Sequence, residues 1–278
     1  GDVVLTTPVP RLLRKKFPNS EIHFITKSEY SDIYINNNNV NKVINLEQNL
    51  KKTIKFLKSE KYDLVIDLHN NLRSNIIKYS LSVKHFTYNK QSFARWLFSN
   101  LKIKLVIKHI TKSYIETLNN LDIKDDDKGL DLFLHEKDLY DLNKMPNEFR
   151  NGFYVLVLGG KYKTKRLPVE KSIELCDKIN RPIVLIGGKN EYSDSLKIEN
   201  FFRKEKYDDD VSDILNKRTT IHNLCGKLSI LQSAWVLKLS NVVYSNDTGF
   251  MHIASALQKK VVSICLLYTS DAADELTS

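Results

Sequence analysis

Apolar residues along this chain gather in short, Val- and Ile-rich runs, set between longer stretches whose apolar positions recur at helical spacing. In the first half the runs EIHFIT (21–26), VNKVINL (40–46), YDLVIDL (62–68) and VKHFTY (83–88) predict strands. Between them the pattern predicts a helix ending near Pro18, a basic amphipathic helix over Asn49–Ser59, a helix over Asn71–Ser80, and mostly helix up to Leu121. The charged stretch Asp122–Gly129 reads as a loop. In the second half FYVLVL (153–158), PIVLI (182–186), TIHNLC (220–225), NVVYS (241–245) and KVVSI (260–264) predict buried strands. Helices are expected over Pro168–Ile179, Ser229–Leu239 and Phe250–Leu257, with a polar helical region after Gly188 that breaks around Asp208–Asp210. Strands that alternate with helices imply an α/β protein with parallel sheets and right-handed crossovers.

Composition narrows the class. The chain has 278 residues, 42% of them hydrophobic, which is enough apolar material for real cores and excludes wholesale disorder. Its length suggests two domains. No run approaches the ~18 consecutive apolar residues of a spanning helix, and no signal peptide opens the sequence. Three Cys, none in a C-x-x-C pair, cannot build a disulfide framework, and their spacing argues against a four-ligand structural zinc site. A reducing compartment, the cytoplasm, is expected. The segment Asp138–Gly152, poor in apolar residues and containing Pro146, reads as a linker. The expected domains are 1–145 and 152–264. The opening Gly1-Asp2 lacks an initiator Met and a preceding strand, so the first strand of the first domain is expected to be missing. The tail 265–278 (CLLYTSDAADELTS) is expected to be a non-native, adapter-derived sequence.

Glycine placement marks one edge of the second domain. Gly159, Gly160, Gly187, Gly188, Gly226 and Gly249 sit just past the carboxyl end of a predicted strand. In open α/β sheets ligands bind outside the carboxyl ends of the strands, and a residue without Cβ lets backbone N–H groups approach a phosphate. Three elements give that edge chemistry. In SNDTGFMHIASAL (245–257), Asp247 and Thr248 can cap a helix whose N-terminus attracts a diphosphate, and His252 lies in its second turn. In GGKYKTKRLP (159–168), Lys161, Lys163, Lys165 and Arg166 suit a phosphate clamp. In GGKNE (187–191), Glu191 is placed to accept hydrogen bonds from ribose hydroxyls. Each has a purely structural alternative: a tight turn, an ordinary helix cap, a solvated charge run. Neither G-x-G-x-x-G nor G-x-x-x-x-G-K-[ST] is present, so a dinucleotide dehydrogenase and a P-loop NTPase are unsupported.

Six segments in register resemble a known family: GDVVLTTPVPRLLRKKFPNSEIHFIT (1–26), YDLVIDLHNNLRS (62–74), KTKRLP (163–168), IGGKNE (186–191), NLCGKLSI (223–230) and SNDTGFMHIASAL (245–257). They are similar to the ADP-heptose:lipopolysaccharide heptosyltransferases, glycosyltransferase family nine. The resemblance implies a GT-B fold, two Rossmann-like domains facing a cleft. It implies an inverting transfer of heptose, or a related sugar, from an ADP-sugar to a lipopolysaccharide core acceptor in bacteria. It also implies that the chain is an internal fragment of the enzyme; lacking an inner strand of its first sheet, that fragment is expected to be poorly stable and inactive. By the same resemblance Asp2 matches the general base, whose alternative role is a helix N-cap. Lys165 matches the lysine at the diphosphate, Glu191 the acid near the ribose, and Asp247, Thr248, Gly249 and His252 the diphosphate and sugar element. Gly187 and Gly188 belong to the same nucleotide-sugar site, and Arg73 matches a base facing the anionic acceptor. Leu167 stands where the family often has Trp.

No metal or cofactor is expected, because cations and a helix dipole can meet the charge of the leaving diphosphate; the acidic run Asp208–Asp210 reads as solvated. Residues 69–121 hold nine Lys/Arg and one acid, Glu116, interleaved with Phe86, Tyr88, Phe93, Trp96 and Phe98. That segment reads as a face for a lipid-linked saccharide at an anionic membrane, as a nucleic-acid surface, or as a solvated face. The partners expected are the nucleotide-sugar donor and the lipid-linked acceptor, with peripheral contact at the inner face of the inner membrane and no nucleic acid. Two rival readings remain, a GT-B protein that binds nucleotide sugars without turnover and a basic nucleic-acid-binding protein.

Overall fold

A computed structural model describes residues 1–90, 109–160, 165–208 and 219–264. The chain divides into two compact units, one spanning Asp2–Phe133 and the other beginning at Leu134 and taking in Gly1. Lys161, Lys163, Phe93, Trp96, Phe98, Asp209, Asp210 and the tail from Cys265 lie outside the described residues.

The first unit carries helices α1 (Asp2–Leu5), α2 (Pro8–Lys16), α3 (Asp32–Ile35), α4 (Leu50–Ser59), α5 (Leu72–Leu81) and α6 (Ile110–Glu116). Its strands are β1 (His23–Thr26), β2 (Lys42–Asn45), β3 (Leu64–Asp67) and β4 (Lys84–Thr87). They form two parallel pairs, β1 with β2 and β3 with β4. Pro8 and Pro10 fall in the first turn of α2, where a missing N–H costs no hydrogen bond. Asn71 and Ser74 cap α5 reciprocally: each side chain accepts the other's backbone N–H, both at 2.9 Å. Leu5, Val9 and Leu12 pack with Tyr88, Tyr114, Ile115, Leu118 and Ile123 in one core, and Ile44, Leu57 and Ile77 anchor another.

The loop Asp122–Gly129 is held rather than merely solvated. The Arg11 guanidinium donates to the Asp126 carboxylate at 2.8 and 3.2 Å and to the Gly129 carbonyl at 2.9 Å, and it pairs with Asp131. Thr7 Oγ1 accepts the Asp131 N–H at 3.0 Å. These bonds fasten the loop to α2, one turn beyond α1.

The second unit holds β5 (Tyr154–Val157), α7 (Val169–Ile179), β6 (Pro182–Ile186), α8 (Tyr192–Asp208), β7 (Thr220–Asn223), α9 (Ile230–Leu239), β8 (Val242–Asn246), α10 (Gly249–Ala256) and β9 (Val261–Ile264). All five strands are parallel, in the order β7-β6-β5-β8-β9. Leu156, Leu158, Ile183 and Leu185 pack on Cys176 of α7 and on Ile198 and Phe202 of α8. The alternate positions Val155, Val157, Val184 and Ile186 are also buried, on the opposite face. The stretch read as a linker carries three short 3₁₀ turns, Glu136–Asp138, Leu142–Lys144 and Asn147–Phe149. Met145 and Phe149 are buried there, Phe149 against His222 of β7. The polar helix after Gly188 runs unbroken to Asp208.

A buried ion pair lies at the end of β3. Asp67 accepts from the backbone N–H groups of His69 (3.0 Å) and Asn70 (2.8 Å), from Ser74 Oγ (3.0 Å) and from Lys78 Nζ (3.2 Å). Lys78 also donates to Thr87 Oγ1 at 2.7 Å and is only 3% exposed. Burial pushes the Asp67 carboxyl up, but the donors from Asn70, His69, Ser74 and Lys78 outweigh it and hold the pKa below the usual range. An unfolded Asp titrates near ~3.9. The linked stabilisation is therefore complete above that pH and is lost as the pH falls through the lower folded value. Asp67→Ala is expected to cost about 3–5 kcal/mol in urea unfolding at pH 7, because it strands a buried ammonium. The gap between wild type and Asp67→Asn should stay constant above about pH 5 and shrink in acid; a gap independent of pH would contradict this account. The thiols of the second unit give a separate check. Burial pushes Cys176 and Cys225 each up to about 12. Mass-spectrometric mapping should find both unlabelled by a thiol reagent in the folded protein and labelled in denaturant; labelling of either in the native state would refute that.

Candidate functional site

The strand order places one crevice apart from the rest. From β5 the chain steps outward to β6 and β7, then returns to the far side of β5 as β8 and β9. The direction of winding reverses between β5 and β8, and there the connections leave their strand ends in opposite directions and open a groove. Val157 of β5 is in register with Ser245 of β8, so the turns beginning at Leu158 and at Asn246 rise side by side.

Two side-chain bonds cross this point. Asn246, 2% exposed, donates Nδ2–H to the Gly159 carbonyl at 3.2 Å. Lys165 Nζ donates to Asp247 Oδ2 at 3.3 Å, with the two side chains 29% and 57% exposed. The lysine after β5 and the acid after β8 thus meet on one side of the layer, at the N-terminus of α10. Thr248 is the N-cap residue of α10, but its side chain makes no capping bond. Its hydroxyl lies 3.2 Å from Ser245 Oγ instead, because the strand-end serine offers a partner behind the turn. The expected cap is therefore a backbone feature only, and the first turn of α10 carries its positive end without a side-chain cap. Gly249 opens the helix and His252 lies one turn along it, half-buried.

The turn after β6 joins the same edge. Gly226, following β7, donates its N–H to the Gly187 carbonyl at 2.9 Å. Lys189–Glu191 form a short 3₁₀ turn, and Glu191 Oε2 reaches back to accept the Gly188 N–H at 3.0 Å. Glu191 Oε1 lies 3.3 Å from Arg166 Nη2. Arg166 in turn donates Nε–H to the Gly160 carbonyl at 2.9 Å. Gly159 adopts φ +102°, and a Cβ there would lie 2.8 Å from Glu191 Cδ, so this position needs glycine on two counts.

Lys165, Gly187, Gly188, Glu191, Asp247, Thr248, Gly249 and His252 therefore all belong to the carboxyl edge of one sheet or the helix that starts there. Asp2 and Arg73 belong to the first unit: Asp2 is exposed in the first turn of α1, and Arg73 is the exposed second residue of α5. Asn246 and the Arg166–Glu191 pair were not singled out by sequence reading. A buried Asn at a strand end looks like any turn residue until the strand order is known. No group of three or more His, Cys, Asp and Glu arranged to hold a metal occurs among the described residues.

Comparison with known proteins follows the same lines. No curated protein matches the sequence. Solved structures share the fold. A family 9 glycosyl transferase from Veillonella parvula DSM 2008 superimposes with a TM-score of 0.69 at 20% identity, covering 95% of this chain and 76% of its own. The E. coli ADP-heptose LPS heptosyltransferase II gives 0.72 at 18% identity, over 95% of this chain and 81% of its own. E. coli heptosyltransferase WaaC with ADP-2-deoxy-2-fluoro heptose gives 0.65 at 19% identity, over 94% and 84%. These are GT-B glycosyltransferases, and the parallel α/β arrangement described above is theirs. The family model for glycosyltransferase family 9 (heptosyltransferase) matches residues 50–272, most of the sequence, and the chain belongs to that family.

Proposed function

We propose that the protein moves heptose, or a closely related sugar, from an ADP-sugar to a lipopolysaccharide core acceptor, with inversion at the anomeric carbon. The observation that carries this reading is the meeting of Lys165 and Asp247 at 3.3 Å across the winding reversal, where the N-terminus of α10 begins. A helix N-terminus bears roughly half a positive charge, and Lys165 adds a full one. A donor's diphosphate placed there meets both. Its negative charge grows as the bond from the anomeric carbon to the diphosphate oxygen breaks, and fixed donors at that position lower the barrier by ~3 kcal/mol each. Asp247, more exposed than Lys165, swings aside from the lysine or turns to a hydroxyl of the sugar. Glu191 faces the ribose, and His252 supplies a further donor along α10.

In this reading Asp2 accepts the proton of the acceptor hydroxyl as that oxygen attacks the anomeric carbon from the face opposite the leaving group. The bonding pair departs with the nucleoside diphosphate. Arg73 receives an anionic group of the acceptor. The leaving charge is assigned to Lys165 and α10, so no metal ion or cofactor is invoked. The relatives that carry ADP or an ADP-heptose analogue support the choice of ADP. No described helix is long and apolar enough to cross a membrane. A cytoplasmic protein that meets its lipid-linked acceptor at the membrane face accords with that.

Isothermal calorimetry tests the donor site. ADP should bind, and Lys165→Ala should weaken it about tenfold or more. In a chain extended to the family's full length, Asp2→Asn should leave ADP affinity within about twofold while lowering transfer by roughly 10²–10⁴. Transfer should persist in EDTA. Undiminished transfer by Asp2→Asn, or ADP affinity indifferent to Lys165, would refute the assignment.

A further inference from the structure

We propose that Arg166 is a positioning residue of the donor site, holding the Glu191 carboxylate in place for the donor's ribose rather than clamping phosphate. This rests on the nucleotide-sugar reading above and assigns work to a side chain that reading leaves unused. Arg166 follows Lys165 directly, yet the two cations take different partners. Lys165 reaches Asp247 across the winding reversal, whereas Arg166 turns to the β6 side. Its guanidinium bridges two strand ends: Nε–H donates to the Gly160 carbonyl after β5 at 2.9 Å, and Nη2 lies 3.3 Å from Glu191 Oε1 after β6.

Glu191 is correspondingly hemmed in. Oε2 accepts the Gly188 N–H at 3.0 Å, and its side chain is 14% exposed. Cβ atoms built on Gly159, Gly187 and Gly188 would fall 2.8, 3.0 and 3.1 Å from Glu191 atoms, so bare glycine backbone forms the seat of this one side chain. A carboxylate offers about four lone-pair directions. The Gly188 N–H takes one on Oε2, and the Arg166 guanidinium holds Oε1 by charge at 3.3 Å, which leaves lone pairs for a pair of vicinal hydroxyls. A planar guanidinium can serve a carbonyl and a carboxylate at once, and the point charge of a lysine cannot do so in the same geometry. Arg166 therefore sets the direction in which Glu191 presents its remaining lone pairs.

The test separates ribose from phosphate. Wild type, Arg166→Met, Arg166→Lys, Glu191→Gln and the double variant Arg166→Met/Glu191→Gln are titrated with ADP and with 2′,3′-dideoxy-ADP, and each variant's melting temperature is recorded. Arg166→Met should weaken ADP about tenfold, and Arg166→Lys should restore only part of that loss. Either change should alter dideoxy-ADP affinity less than about twofold, and in the Glu191→Gln background Arg166→Met should add almost nothing. Equal losses for ADP and dideoxy-ADP would overturn the proposal, since that is the signature of a phosphate contact or of general damage. Full rescue by lysine, or no loss for ADP, would overturn it as well. If Arg166→Met does not fold, the lysine variant carries the same comparison. If wild type fails to bind ADP at all, the nucleotide reading falls first, and that result is distinct from any of these.

Discussion

The bond from Asn246 to the Gly159 carbonyl, 3.2 Å long, is buried and central to the rest of the second unit. It ties the turn that leaves β5 to the turn that leaves β8 at the place where the sheet reverses its winding. The β5–β8 register sets the two loops at a common height, and this tie fixes them to each other beyond the strand ends. With it, the lysine carried by one loop and the acid and helix start carried by the other hold a fixed relation. Both loops rest on strands buried on each face, so the edge inherits the rigidity of a close-packed interior.

Charge at this edge is arranged in pairs. Lys165 faces Asp247, and Arg166 faces Glu191. Surface ion pairs contribute little to stability, at most about 1 kcal/mol, so the value of these lies in direction. Each acid keeps a long cationic side chain from wandering and points it at the crevice or at a neighbouring turn. The two pairs differ in exposure. Asp247 is open to solvent, while Glu191 is enclosed. The first unit uses the same economy away from this edge. Arg11 gathers the Asp122–Gly129 loop, and Asp67, through Ser74 and Lys78, holds α5, the helix that carries Arg73.

Much of this was legible in the sequence, and the boundary of legibility is physical. Strands such as Tyr154–Val157 and Pro182–Ile186 announce themselves because burial on both faces demands continuous apolar runs, and the glycines after them follow from the turns they must make. Helix starts at Asn71 and Ser229 carry local capping signals, each a pair of residues three positions apart. What no local signal encodes is partnership across the fold. Lys165 and Asp247 lie 82 positions apart, and only the strand order brings them together. Asp67 and Lys78 look like two solvated charges until β3 and α5 bury them. Thr248 looks like a capping side chain, and Ser245 behind it takes the hydroxyl away. The stretch before β5 looks like a linker because its apolar residues are few, yet Met145 and Phe149 are enough to pin it.

The account stands on where a diphosphate settles. A crystal structure of the protein with ADP locates the two phosphorus atoms directly. They should lie at the N-terminus of α10 within hydrogen-bonding reach of Lys165 Nζ, above the Asn246–Gly159 tie. Phosphates bound at any other edge of the second sheet, or on the first unit, would contradict the account.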